Sequence, residues 1–113
     1  MRIRAAGLTA LALFTVLASP AFAQGQGEPG MKVFAASKCS LCHSVAGKGN
    51  PKGVLDDVGS KLSAVEIREW LTHPDTMRQK AGSERKPIMK SFSTLPKDDL
   101  DALVAYLQTL KKK

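Results

Sequence analysis

The sequence is short of the features that usually hold a small domain together. Among its 113 residues there are only two cysteines, Cys39 and Cys42, and aromatic side chains make up 5%. A disulfide between cysteines so close in sequence would close a tiny loop and remove little chain entropy. Because a chain of this length has a thin core, these shortages indicate that a different group fills the centre of the fold.

Several classes of function lack the sequence pattern that they would require. Lysines and arginines are spread along the chain and do not alternate with aromatic residues, so no nucleic-acid platform is predicted. No nucleophile–base arrangement or carboxylate pair stands out, which disfavours an enzyme. No segment alternates apolar and polar residues over the length of a convincing strand.

The first residues have the three parts of an export signal in order. Two arginines among the first four residues precede an apolar run over residues 5–18, and a small-x-small cleavage site follows at 21–23. The alternative is a membrane anchor, but the run falls short of the ~20 apolar residues that cross a bilayer. We therefore predict a cleavable signal over residues 1–23, a single domain over 24–113, and no membrane span after cleavage.

Cleavage after Ala23 would lower the formal charge from +7 to +5. This moderately basic balance favours an acidic partner surface over nucleic acid. The three lysines that end the sequence are expected to be a solvated helix end.

Helix start and stop signals divide residues 24–113 into helices and loops. The loops are expected over 44–61, where glycines are frequent, and over 83–93. The helices are predicted from about Gly30 to Ser37 or Lys38, from the Ser63–Glu66 capping box to Pro74, from Asp75 to about Lys80, and from Pro96 towards the end of the chain. The fold class is therefore all-α, with three main helices and one or two short ones.

The chemistry of the chain is concentrated in CSLCH, residues 39–43. A thiol redox pair would need an exposed helix start, normally in a strand–helix pattern, and a zinc site would need more donors than His43 and the distant His73. Two thiols at i and i+3 lie on one face of a helical turn, where they can add to the two vinyl groups of a haem. C-x-x-C-H is the c-type haem attachment pattern. We predict one haem c, attached by thioethers at Cys39 and Cys42, with His43 as an iron ligand.

An electron-carrying iron needs a sixth ligand. The candidates in residues 24–113 are Met31, His73, Met77 and Met89. We favour Met89, which lies in the loop KPIMKSF, because Pro87 stiffens that loop and Phe92 can hold it against the core. A stiff loop can keep a thioether on the iron opposite His43.

With these features the chain resembles the class I cytochromes c, in particular the small bacterial, exported, single-haem kind. The segments that carry the resemblance are CSLCH at 39–43, GKGNPKGVLDDVGSKLS at 47–63, WLTHP at 70–74, KPIMKSF at 86–92 and LPKDDLDALVAYLQTLK at 95–111. The resemblance implies the cytochrome c fold, in which the first and last helices cross near a right angle and Gly30 meets Tyr106. It also implies that the Trp70 indole faces a haem propionate, with ordinary core packing as the alternative.

One position departs from the family pattern. Relatives often have proline before the leucine that follows the glycine-rich loop, and its carbonyl accepts a hydrogen bond from the ligand histidine. Here Val54 occupies that position. Its carbonyl is expected to serve His43 in the same way.

The expected function is one-electron transfer in the periplasm between respiratory or dehydrogenase complexes, by a monomer that is not an enzyme. The rivals are a haem enzyme or gas sensor with an open iron position, and a cytochrome subunit held by a dehydrogenase. Positive side chains near the exposed haem edge are expected to meet an acidic partner: Lys38, Lys48, Arg85, Lys86 and Lys90.

Overall fold

The computed structural model of the protein describes residue 12 and residues 27–112. Of the predicted export signal over residues 1–23, the structure describes residue 12 alone, so the signal stays a prediction. Within the described residues the helices are α1 (Glu28–Ala36), α2 (Val58–Lys61), α3 (Ala64–Thr72), α4 (Pro74–Ala81) and α5 (Lys97–Thr109), with 3₁₀ turns at Cys39–Leu41 and Pro51–Gly53. The predicted all-α class is confirmed.

The first and last helices, α1 and α5, make the most extensive contact between helices in the described residues. Gly30 permits this approach, because a Cβ atom there would collide with the Cβ of Tyr106 and the carbonyl of Ala102. One helical turn later, the rings of Phe34 and Tyr106 meet edge to face, with centroids 5.7 Å apart. The Gly30–Tyr106 pairing expected from the resemblance is therefore present.

The core lies between α3 and α5. The predicted capping box is formed: the Ser63 hydroxyl accepts from the Glu66 amide at 3.2 Å, and the Glu66 carboxylate accepts from the Ser63 amide at 3.0 Å. This fixes the start of α3, which buries Ile67 and Leu71. The buried residues of α5 are Leu100, Leu103, Val104, Tyr106 and Leu107.

The turn between α3 and α4 also follows the sequence. His73 leaves helical geometry, at φ −132° and ψ 56°, and Pro74 then occupies the first turn of α4. Gly82 ends α4 in the left-handed region, at φ 63°. The short helix predicted from Asp75 to Lys80 is therefore confirmed, one residue longer at each end.

The segment 44–61 is more regular than predicted. Two short strands, β1 (Ser44–Val45) and β2 (Lys48–Gly49), pair antiparallel, and α2 follows. The connecting Ala46 and Gly47 both have positive φ, 51° and 79°, as a two-residue hairpin turn requires. The expectation of a loop without strands was wrong because strands of two residues are too short to show alternation.

None of the described helices is long and apolar enough to cross a membrane.

Candidate haem site

A cavity of about 520 Å³ opens beside the α3–α5 core. Side chains from all five helices and from the two long loops form its walls. The walls are mainly apolar and include Phe34, Leu55, Val58, Leu62, Ile67, Leu71, Phe92 and Leu107. A space of this size and character suits a large, flat, apolar group better than a polar substrate.

The CSLCH segment forms one edge of this cavity. After α1, Lys38 adopts a left-handed conformation, at φ 57°, and the chain turns into the 3₁₀ helix Cys39–Leu41. The amide of His43 donates to the carbonyl of Cys39 at 2.9 Å, which closes the turn. Cys39, Cys42 and His43 consequently all line the cavity.

The two thiols are free, and the surroundings of Cys39 are not those of a redox-active nucleophile. Burial raises the pKa of Cys39 to about 11, whereas a reactive thiol pair works through a cysteine of lowered pKa. For zinc, the described residues contain no group of three or more His, Cys, Asp or Glu side chains that could hold a metal ion.

The orientation of His43 is set by a backbone carbonyl. Its Nδ1 lies 3.1 Å from the carbonyl oxygen of Gly53, which can only accept, so Nδ1 carries the proton and Nε2 keeps a free lone pair. Burial lowers the pKa of His43 despite this hydrogen bond, and the nearby positive charge of Arg85 acts in the same direction. The imidazole is therefore neutral at pH 7, the form that binds iron.

The expectation that Val54 would supply this carbonyl was wrong. The 3₁₀ turn Pro51–Gly53 aims the carbonyl of its last residue at His43, one position earlier in the chain. Val54 is instead extended and bridges Ser44, whose carbonyl accepts from the amide of Leu55 at 2.9 Å.

Met89 lines the same cavity and is half-buried against the core. The other three candidates, all within the described residues, do not line it. Met31 is 53% exposed on α1, and Met77 of α4 is not among the lining residues. The exposed His73 lies 3.3 Å from a carboxylate oxygen of Glu69.

The loop that carries Met89 is held on both sides. After Met89, the Phe92 amide donates to the Leu71 carbonyl at 2.7 Å, and the Ser91 hydroxyl donates to the Thr72 carbonyl at 2.8 Å. Before Met89, the guanidinium of Arg85 donates to the carbonyl of Cys42. The methionine is thereby tied both to the end of α3 and to the CSLCH segment.

One buried polar atom on the cavity wall has no partner. The Nε of Arg78 is shielded from solvent and makes no hydrogen bond to any of the described residues, although an orphaned buried donor is costly. Arg78 and Trp70 both line the cavity. A haem carries two carboxylates, so this donor, the thiols, the imidazole and the thioether together fit a c-type haem.

The sequence pattern did not reveal Arg78 or Gly53. Arg78 precedes the loop as one of two basic residues on a polar helix, and nothing in its spacing distinguishes it. Gly53 does carry a signal that could have been used, because glycine often marks a close backbone approach. A Cβ atom there would collide with the Cys42 carbonyl and with the guanidinium of Arg85.

Comparison with known proteins agrees with this site. The chain is similar to the cytochrome c oxidase subunit 2 of Alkalihalophilus pseudofirmus (strain ATCC BAA-2126 / JCM 17055 / OF4), with 26% identity over 91 residues. The match covers 73% of this chain and 25% of the relative, so the chain spans about a quarter of that subunit's length. No solved structure matches. The sequence profile of the cytochrome c family matches residues 27–111, and the chain belongs to that family.

Proposed function

We propose that the protein is a periplasmic one-electron carrier with a single haem c, bound through Cys39 and Cys42 and ligated at the iron by His43 and Met89. Membership of the cytochrome c family implies covalently bound haem c and a role as a haem-based electron carrier. The two cysteines fit its C-x-x-C-H site. The axial pair, the number of haems and the compartment are proposed in addition to what family membership implies.

One observation carries the proposal: an imidazole and a thioether from distant parts of the chain line the same apolar cavity as the two thiols. The imidazole presents a neutral Nε2, because Gly53 holds Nδ1. The thioether belongs to a loop held by Leu71, Thr72 and Cys42.

A haem in this cavity would supply an iron that gains and loses one electron. The residues of the chain would anchor this group and shield it from water. Cys39 and Cys42 anchor the group as thioethers, and the apolar walls keep water away from it. The Arg78 guanidinium offers an acid group a positive, hydrogen-bonding partner at the buried Nε.

Occupation of both axial positions distinguishes a carrier from a haem enzyme or gas sensor. His/Met ligation leaves no open site and raises the potential relative to other ligand sets. We therefore expect the reduced holoprotein to bind carbon monoxide slowly and incompletely at neutral pH. Rapid, complete binding would instead identify an open-site haem protein and would contradict the proposal.

The similarity to an oxidase subunit favours a second candidate, in which this cytochrome is held within a respiratory enzyme. The relative is named as cytochrome c oxidase subunit 2, and this chain matches only part of it. Gentle fractionation of native cells separates the two candidates. A carrier is released with the periplasmic fraction at about its own mass, whereas a subunit elutes with a large complex.

The partner of a free carrier should present an acidic surface. Lys38, Arg85 and Lys90 contribute to the cavity wall, and Lys86 is exposed in the same loop as Met89. These positive groups would surround the edge at which an electron enters or leaves.

A further inference from the structure

The loop that carries Met89 has one side-chain link to the segment that carries His43. Arg85 donates from Nη2 to the backbone carbonyl of Cys42, across 43 positions of sequence. Within residues 27–112, this is the only hydrogen bond that joins residues 84–90 to a part of the chain outside residues 83–93. We infer that Arg85 is a positioning residue, which tethers the methionine loop to the histidine segment and so makes Met89 harder to displace from the iron. The inference rests on the proposed axial pair.

Gly53 provides the space that the Arg85 guanidinium occupies. Both of its terminal nitrogens would collide with a Cβ atom at residue 53, so the absence of a side chain at Gly53 leaves room for Arg85. The Gly53 carbonyl also holds His43. One glycine therefore accommodates the tether and orients the imidazole.

The tether acts on the less restrained side of Met89. After Met89, two hydrogen bonds fix Ser91 and Phe92 to the end of α3. Before it, the Arg85 amide donates, among the described residues, only to the nearby Ser83 hydroxyl, at 3.4 Å. Without the guanidinium, residues 84–90 would hinge about Phe92, and the thioether would leave the iron more readily. A hydrogen bond from a charged donor is strong enough to oppose this motion.

The test measures competition for the iron in the oxidised holoprotein, with imidazole as the external ligand and the visible spectrum as readout. We expect Arg85→Gln to bind imidazole about tenfold more tightly than the wild type, as the loss of one charge-assisted hydrogen bond predicts. Lys86→Gln removes the same charge one residue away and should stay within about twofold of the wild type. Arg85→Lys keeps the charge but has a single ammonium, and should lie between Arg85→Gln and the wild type.

Equal imidazole affinity in Arg85→Gln and Lys86→Gln would overturn the inference, because the loss of a positive charge would then account for any change in affinity. If Arg85→Gln does not mature with haem, Arg85→Lys decides: tighter binding than the wild type supports the tether, and unchanged binding refutes it. Failure of the proposed axial pair has a separate signature. In that case Met89→Ala would bind imidazole no more tightly than the wild type, and the inference would fall with the pair.

Discussion

Met89 is the residue on which the choice between electron carrier and open-site haem protein depends. We expect Met89→Ala to lose the methionine-to-ferric charge-transfer band and to bind carbon monoxide rapidly when reduced, while the haem stays attached through Cys39 and Cys42. The reason is that no other candidate methionine lines the cavity.

Met77→Ala is the matched control for that experiment. Its side chain lies on α4 and does not line the cavity, so the band should survive. A band that persists in Met89→Ala and disappears in Met77→Ala would show that the ligand is assigned to the wrong methionine.

Single residues differed in how far the sequence could specify them. Cys39, Cys42 and His43 are close in sequence, so one turn brings them together and their shared wall of the cavity was predictable. Met89 could be ranked first because its loop is stiff and lies between two helices. Gly53 acts through a contact with His43, ten positions away, and Arg78 is distinguished only by a buried Nε with no hydrogen-bond partner among the described residues. No local pattern encodes such contacts, so the sequence suggested Val54 and missed Arg78.

At the scale of elements, the contact between α1 and α5 carries a stability prediction. Gly30→Ala should lower the free energy of unfolding of the holoprotein by ~1–3 kcal/mol, as is typical of an overpacked site, because its Cβ would collide with Tyr106 and the Ala102 carbonyl. Denaturant unfolding followed by the visible haem spectrum measures this change.

Gly27→Ala provides the control at the start of the same helix. Among the described residues, a Cβ there would meet only Cδ2 of Tyr106, at 3.9 Å, which is an ordinary contact. The expected cost is about 0.5 kcal/mol, because alanine is a poorer N-cap than glycine. Equal losses in the two variants would mean that the helix contact is not the tight packing site described above.

The helices were more predictable than the segment 44–61, for a physical reason. α3, α4 and α5 have local start or stop signals: the Ser63–Glu66 box, His73 before Pro74, Gly82, and Pro96 before α5. The hairpin at 44–49 and the short α2 depend on tertiary contacts, such as the Gly59 amide that donates to the Leu110 carbonyl at 2.7 Å. Two-residue strands and a one-turn helix leave too short a pattern to detect.

For the whole molecule, the cavity implies that the prosthetic group is part of the core. Among the described residues, the buried apolar cluster consists of seven residues of α3 and α5, and several of the partly buried apolar residues border the cavity. A group bound only in the folded state stabilises that state. We therefore expect the double variant Cys39→Ser plus Cys42→Ser, made without haem, to be poorly structured by circular dichroism. A cooperative thermal transition close to that of the holoprotein would contradict this.

The charge of the molecule leads to a prediction about its partner. The electron-transfer rate with the physiological partner should fall steeply with ionic strength, because salt screens surface fields beyond ~10 Å at about 0.1 M. Lys86→Glu and Lys90→Glu should each slow the reaction at low salt, by ~10-fold where steering is strong. Lys111→Glu makes the same charge change near the end of α5, away from the cavity, and should have little effect. A rate that is flat or rises with salt would point to an apolar docking face or a basic partner.

The most direct test of the central claim is the visible spectrum of the purified protein, oxidised and reduced, before and after extraction with acid–acetone. The structure brings two thiols, a neutral imidazole and a thioether to one cavity. We predict a haem that stays with the protein through extraction and a ferric spectrum with the methionine charge-transfer band. Haem that enters the solvent would contradict attachment at Cys39 and Cys42, and attached haem without the band would contradict the His43/Met89 pair.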